Sequence, residues 1–393
     1  MGYTDGLDQS LDGYHYDLPD DRIAQNPQEP RDRSRLLVVP SPDDVWHRQF
    51  CDLPELLKPG DLLILNDSSV IPARLRGRKT SGSAVEALLL EARSPDTWLA
   101  LVRPGKRLLV GTQIEFFPPA DRPDTPLPIG LDNLPADWRL TAEVLSIDRA
   151  TGGRLLRFNL PPGVPSLVPL LDHWGTMPLP PYITESQAPP DRYQTVYARD
   201  PGSAAAPTAG LHFTPELLDR LSQAGIGRAF VTLHVGVGTF RPVATQDITA
   251  HKMHEEWAVL PPETADKIRK TKAEGGRVIA VGTTAVRTLE SAARQSASGD
   301  LGDFCGKTDL FIYPGYEWQI VDGIITNFHL PRSSLMMLVA AFVGRSRLLD
   351  LYQAALEAPA APYGDRYRFY SFGDAMLLLP EACVGSRSDR CNR

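Results

Sequence analysis

"RVIAVGTTAVRTLESAARQ", residues 277–295, is the stretch from which the fold of this 393-residue chain is read. It reads as a strand, a Gly-Thr-Thr turn and the start of a helix. Free backbone N–H groups at such a helix start can hold a carboxylate or a phosphate. With Gly282 as its one glycine, the turn matches neither a Walker loop nor G-x-G-x-x-G.

The same rhythm continues on both sides. "TPELLDRLSQAG" (214–225) is a helix with Thr214 as N-cap, Pro215 in the first turn and Gly225 as stop. "RAFVTLHVGVGTF" (228–240) is a strand, "PETADKIRKTKAEGG" (262–276) a helix, and "DGIITNFHL" (322–330) a strand leading to the helix "SLMMLVAAFVG" (334–344). Alternation of this kind predicts parallel strands with covering helices. Between about 70 and 155 the texture changes to six short β-type segments separated by turn residues, from "VIPARLRGR" to "RLLRFNL". That spacing predicts a small antiparallel barrel or sandwich. The expected architecture is α/β, a mixed or parallel sheet with covering helices, plus an inserted small antiparallel β-barrel. Its boundaries are 1–66 and 156–393 for a discontinuous α/β domain and 67–155 for the insert, with 381–393 a flexible tail.

With 42% hydrophobic and 23% charged residues the chain is globular in composition. The formal charge of −7 advertises no global positive field for nucleic acid. Cys51, Cys305, Cys383 and Cys391 show no C-x-x-C spacing, which reads as a reduced cytosolic setting without a zinc knuckle. The N-terminus is unlike a signal peptide, and the apolar run Leu335–Val343 is too short to span a bilayer. "NDS" at 66–68 fits the glycosylation pattern but has no secretory context.

Several clusters could carry chemistry. On the strand 230–240, Thr232, His234, Gly236 and Gly238 share one face, so His234 borders a hollow made by two glycines; a histidine bonded at a bulge is the plain alternative. "AAAPTAGLHFTPE" (204–216) puts very small side chains ahead of His212, which predicts open space beside that ring. "HKMHEEW" holds His251, His254, Glu255 and Glu256, but its spacing departs from the zincin pattern. Asn327 and His329 sit at a strand end, where ligands of α/β sheets bind. Arg74, Arg76 and Arg78 share a face with Lys79 beside them, a ladder at phosphate-like spacing or a charge-guarded edge strand. No Ser-His-Asp arrangement is signalled, so histidine acid–base chemistry on a bulky ligand is favoured over nucleophilic catalysis.

Together these segments resemble the S-adenosylmethionine:tRNA ribosyltransferase-isomerase family of queuosine biosynthesis. The matching stretches include "YDLPDDRIAQNPQEPRDRSRLLV", "LNDSSVIPARLRG", "DRYQTVYARDPGSAAAPTAGLHFT", "VTLHVGVGTFRPV", "VIAVGTTAVRTLES" and "VDGIITNFHLPRSSL", in family order from about 14 to 379. Ala204, Glu255 and Arg332 depart from the pattern, and the Pro-rich stretch 118–137 and the tail fall outside it. The resemblance implies transfer and isomerisation of the ribosyl part of S-adenosylmethionine onto 7-aminomethyl-7-deazaguanine at the tRNA wobble position. Epoxyqueuosine forms, and adenine and methionine leave. It implies no metal and no cofactor besides the consumed S-adenosylmethionine. The protein is expected to be cytoplasmic and monomeric, with no membrane partner.

That chemistry assigns roles. His212 and His234 are expected as acid–base groups, with His254 and Glu256 next. Thr208, Gly210, Gly236 and Gly238 are expected as pocket walls. Gly282, Thr283 and Thr284, or Arg287, would take the methionine carboxylate, and Arg241 joins the substrate set. Asn327 and His329 would orient adenine or the acceptor base, and Tyr313 and Tyr316 would stack. Glu256, Asp322 or Asp374 would read the guanine-like edge, and Arg74, Arg76, Arg78 and Lys79 would hold tRNA phosphates. Two other readings compete: a metal-dependent hydrolase built on His251 and His254, and a non-catalytic tRNA-binding module.

Overall fold

The computed structural model describes residues 6–119, 138–149, 151–236, 243–296, 301–360 and 365–384. Gly238 and Arg241, and most of the Pro-rich stretch and of the tail, lie outside them. Two compact units emerge, one of 1–68, 181–200 and 206–393, the other of 69–180 and 201–205.

The first strands in the chain are β1 (Arg35–Val39), β2 (Trp46–Gln49), β3 (Leu62–Asn66) and β4 (Ser68–Val70). Next come β5 (Arg74–Lys79), β6 (Ala84–Ser94), β7 (Thr97–Arg103), β8 (Gln113–Phe117), β9 (Thr141–Ile147), β10 (Arg154–Phe158), β11 (Gly175–Thr176) and β12 (Asp200–Ser203). The last are β13 (Gly227–Leu233), β14 (Glu256–Leu260), β15 (Val278–Val281), β16 (Phe304–Thr308), β17 (Gly323–Asn327) and β18 (Ala375–Leu378). The helices are α1 (Leu53–Leu56), α2 (Val168–Trp174), α3 (Pro215–Gln223), α4 (Pro262–Ala273), α5 (Thr283–Gln295), α6 (Ser334–Val343) and α7 (Arg345–Glu357).

The larger unit is built on a nine-stranded sheet of order β16-β14-β13-β3-β15-β17-β18-β1-β2. Its centre, β13-β3-β15-β17, is parallel, whereas β18 runs against β17 and β1 runs with β18. The sheet is therefore mixed, with a parallel heart. β1, β3, β15, β17 and β18 are buried along their whole length, as strands covered on both faces must be. α3 forms where its punctuation places it: Thr214 Oγ1 accepts from the Leu217 N–H at 3.1 Å and Gly225 takes φ +77° to end it. Its Leu217, Leu218 and Leu221 pack against Leu63, Leu65, Ile279 and Val281 of the sheet, each leucine contributing about 1.5–3 kcal/mol by burial. One helix goes beyond the sequence expectation. After Gly344 ends α6, α7 starts at once and buries Leu348, Leu351, Tyr352 and Ala355 along one stripe. No helix among the described residues is long and apolar enough to cross a membrane.

In the smaller unit β5-β6-β7-β10-β9-β8 close into a six-stranded antiparallel barrel through the β5–β8 pairing. These are the six segments expected from the sequence. A Cβ on Gly77 would come within 2.3 Å of the Glu115 carbonyl, so glycine lets β5 and β8 meet. Leu75, Val85, Leu89, Trp98, Ile114, Phe116, Val144, Leu156 and Phe158 fill the interior. The expected end of the insert at 155 is too early. Leu170, Leu171 and Trp174 of α2 belong to this same core, and β11 pairs with β5, so the unit runs on to 180.

Candidate active site

The C-terminal ends of β3, β13, β15 and β17 lie at one edge of the large sheet. Because β18 is antiparallel to β17 and β1 parallel to β18, Asp374 and Ser34 reach that edge from the opposite direction. Polar side chains converge there: Asn66 at the end of β3 and Asp67 after it, His234 after β13, Thr283 and Thr284 after β15, Asn327 at the end of β17, then Asp374 and Ser34. A polar edge on an otherwise apolar sheet is where ligands of this architecture bind.

His212 is buried here among fixed partners. Asn327 Oδ1 accepts the Thr208 hydroxyl at 2.9 Å, so its NH2 group faces the ring and donates to Nε2 of His212 at 3.1 Å. Nδ1 lies 2.7 Å from Ser34 Oγ, and Phe50 stacks on the ring at 4.9 Å. Burial, helped by Arg368 and Arg31, pushes its pKa down to about 3. The ring is thus neutral with both nitrogens engaged. The open space expected ahead of it is absent: a Cβ on Gly210 would stand 2.1 Å from the Tyr197 hydroxyl and 2.9 Å from Thr195. The small residues there admit protein side chains.

His234 is held less tightly. It is partly exposed, its Nε2 stands 3.6 Å from Asp200 Oδ1, and its Nδ1 is buried with no hydrogen-bond partner among the described residues. Burial lowers its pKa, while Asp200 and Asp67 act in the opposite sense. Asp67 is held by the Thr232 hydroxyl at 2.7 Å and by Arg199 at 2.6 Å. Asn66 Nδ2 donates to Leu233 O at 3.0 Å and to Thr284 Oγ1 at 3.1 Å, which ties the end of β13 to the first turn of α5.

Residues 11–378 match the family model described as queuosine biosynthesis protein. The chain belongs to that family. It is 60% identical to the S-adenosylmethionine:tRNA ribosyltransferase-isomerase of a Nostoc species, over 96% of this chain and 93% of the relative. To that of Acaryochloris marina it is 56% identical, over 99% and 98%. A crystal structure of S-adenosylmethionine tRNA ribosyltransferase from Thermotoga maritima is 38% identical, with 93% of this chain and all of that chain covered and a TM-score of 0.49.

In this queuosine family member the other expected residues fall into three groups. Gly282, at φ +86°, starts α5, whose first-turn Thr283 and Thr284 face the edge. Glu256 and Arg287 form a buried ion pair; Glu256 Oε1 also accepts the Gly236 N–H at 2.9 Å, and Arg287 donates to Leu310 O and Thr308 O. Asp374 takes the Arg35 and Arg368 N–H groups at 2.8 and 2.7 Å, and burial raises its pKa to about 6. His329 is buried, bonded through Nε2 to Thr326 at 3.2 Å, with its pKa lowered to about 3 by burial.

A second group has surroundings other than the polar cluster of that edge. Asp322 lies at the opposite end of β15, gripped by Lys272 at 2.6 Å and the Val278 N–H at 2.8 Å. Tyr313 and Tyr316 line an open cleft of about 430 Å³ with Phe311 and Arg294, and Tyr316 donates to Glu290 at 3.0 Å. His254 is exposed, and among the described residues no group of three His, Cys, Asp or Glu is arranged to hold a metal. Family membership does not favour the hydrolase reading. The third group is the ladder on β5: Arg78 pairs with Glu115 at 3.3 Å, Arg74 donates to Leu179 O at 3.4 Å, Lys79 donates to Arg107 O at 3.0 Å, and Arg76 is exposed.

Sequence reasoning passes over Ser34, Asn66, Asp67, Arg199 and Asp200. Asn66 and Asp67 carry a usable signal, since they follow the apolar run Leu62–Leu65 just as Asn327 follows Gly323–Thr326.

Proposed function

We propose that the protein transfers and isomerises the ribosyl part of S-adenosylmethionine onto 7-aminomethyl-7-deazaguanine at the wobble position of tRNA, with adenine and methionine as the other products. Within that reaction His234 is the base, and the observation carrying this assignment is its buried Nδ1 at the polar edge, unpartnered among the described residues. The sulfonium acidifies the neighbouring C5′ hydrogens. His234 takes one of these protons at Nδ1, and the C–H electron pair stays on the carbon beside sulfur. Burial lowers the His234 pKa on balance against two carboxylates, so the ring rests neutral and ready to take a proton at neutral pH. His212, neutral and held on both sides, acts by positioning: it fixes Asn327 and Thr208 at the edge. The first turn of α5 offers its N–H groups to the methionine carboxylate, because the guanidinium of Arg287 is occupied by Glu256. The acceptor base must leave its stack to enter.

The reading requires no metal and no cofactor besides the consumed S-adenosylmethionine. On this reading the protein is cytoplasmic and works as a monomer. The test is incubation with S-adenosylmethionine and tRNA carrying the aminomethyl-deazaguanine. Release of adenine and methionine in equal amounts, with the matching mass gain on tRNA, is expected. Release of S-adenosylhomocysteine would mean methyl transfer and overturn the reading.

A further inference from the structure

We propose that Asp200 is a positioning residue for the reaction: its carboxylate holds the Nε2 side of the His234 imidazole and leaves Nδ1 facing the substrate. The proposal rests on the assignment of His234 as base. Its ground is the arrangement of three residues far apart in the chain. Asp200, the first residue of β12, stands with Oδ1 3.6 Å from His234 Nε2, while Nδ1 on the other side of the ring is buried and unpartnered among the described residues.

The carboxylate is itself anchored. The backbone N–H groups of Arg199 and Asp200 both donate to Asp67 O, at 2.9 and 3.2 Å. Asp67 is locked in turn by Thr232 and Arg199 through its side chain. Asp200 is thereby fixed to the ends of β3 and β13, the elements that place His234.

The chemistry of imidazole gives this placement its meaning. A neutral ring can accept a proton at Nδ1 only as the tautomer that carries its hydrogen on Nε2. A carboxylate on the Nε2 side favours that tautomer. After proton transfer the ring is an imidazolium whose Nε2–H points at Asp200. The 3.6 Å gap can then close toward the about 2.7–2.9 Å of a charge-assisted hydrogen bond. Among the described residues, two other carboxylates at this end of β13 have cationic partners: Asp67 pairs with Arg199, and Glu256 of β14 with Arg287 of α5. Asp200 is, among the described residues, the carboxylate within ion-pair reach of His234.

The experiment compares Asp200→Asn, Asp200→Glu and His234→Gln, each checked for an unchanged Tm. For Asp200→Asn we expect kcat to fall by about tenfold or more, the scale of a weakened general base. KM for both substrates should stay within about twofold, and the acid limb of the pH–kcat/KM profile should move to lower pH as the imidazolium loses its counter-charge. Asp200→Glu should recover part of kcat. Unchanged kcat and an unmoved acid limb in Asp200→Asn would overturn the proposal. So would a fall in kcat that neither moves the limb nor is rescued by glutamate, since that marks a purely structural role. If His234→Gln turns over like the wild type, the assignment of the base itself fails, an outcome separate from failure of Asp200 alone.

Discussion

Asn327 donates its side-chain N–H to Nε2 of His212 across 3.1 Å, and the Thr208 hydroxyl on its oxygen leaves it no other orientation. The buried ring is thereby kept neutral, and the consequence is a stability that depends on pH. In the unfolded chain a histidine titrates near 6.5, whereas His212 and His329 are both lowered to about 3 by burial. A depressed folded value means that only the unfolded chain takes up the proton between those limits. The stabilisation is complete above about pH 6.5 and is lost as pH falls toward 3, with a slope of at most about 1.4 kcal/mol per pH unit for each ring. Urea unfolding from pH 7 to pH 4 should show this decline, and His329→Gln should make it shallower. An equally steep decline in the variant would remove His329 as its source.

The Glu256–Arg287 pair should behave as a buried ion pair does. Glu256→Gln or Arg287→Met leaves one charge without its counter-ion in a buried place, at a cost of about 3–5 kcal/mol. The double variant should be destabilised much less than the sum of the two. A double-mutant cycle on denaturation midpoints checks this, and simple additivity would mean that the pair contributes no coupling.

Gly210 and Tyr197 give a prediction with its own suppressor. A Cβ at 210 would stand 2.1 Å from the Tyr197 hydroxyl oxygen, an approach that must displace either the tyrosine or the turn holding His212. Gly210→Ala should therefore lower stability by about 1–3 kcal/mol. Tyr197→Phe removes the closest atom, and in that background the cost of the alanine should fall, with the Thr195 methyl at 2.9 Å as the closest contact that remains. Thermal melts of the three variants decide it; an equal cost in both backgrounds would show that the clash lies elsewhere.

These arrangements explain what is legible in the sequence and what is not. β15, Gly282 and α5 are legible because an apolar run, a glycine turn and a helical stripe are all local patterns. The six barrel strands are legible for the same reason. α7 is hidden by Gly344, which reads as a stop and in fact ends one helix and begins another. At the site, Asn327 and Thr283 are visible as polar residues following apolar runs. Asp67 meets Thr232 from 165 residues away, and Ser34 meets His212 from 178 away. The first pairing follows from β13 lying beside β3 and the second from β1 lying near β17, whose Asn327 holds His212, and strand order leaves no trace in local periodicity. The small residues of 204–210 mislead because compactness around a tyrosine and clearance for a ligand look alike as composition.

The ladder on β5 should divide unequally if the barrel holds RNA phosphates. Arg74 is bonded to Leu179 O, and Arg78 shares its charge with Glu115 while lying 4.8 Å from the Phe117 ring. Arg76 is exposed between them, with no ion-pair partner among the described residues. Releasing Arg78 to a phosphate means surrendering its pairing with Glu115, so its net contribution is smaller. Removing one cation that neutralises a phosphate should reduce the slope of log K against log salt by about 0.7–0.9. Arg76→Ala should therefore lower that slope by about this amount and weaken tRNA binding at low salt, with Arg78→Ala doing less of both. Binding titrations at several salt concentrations read the slopes directly, and an Arg76→Ala slope equal to that of the wild type would take this face out of the tRNA interface.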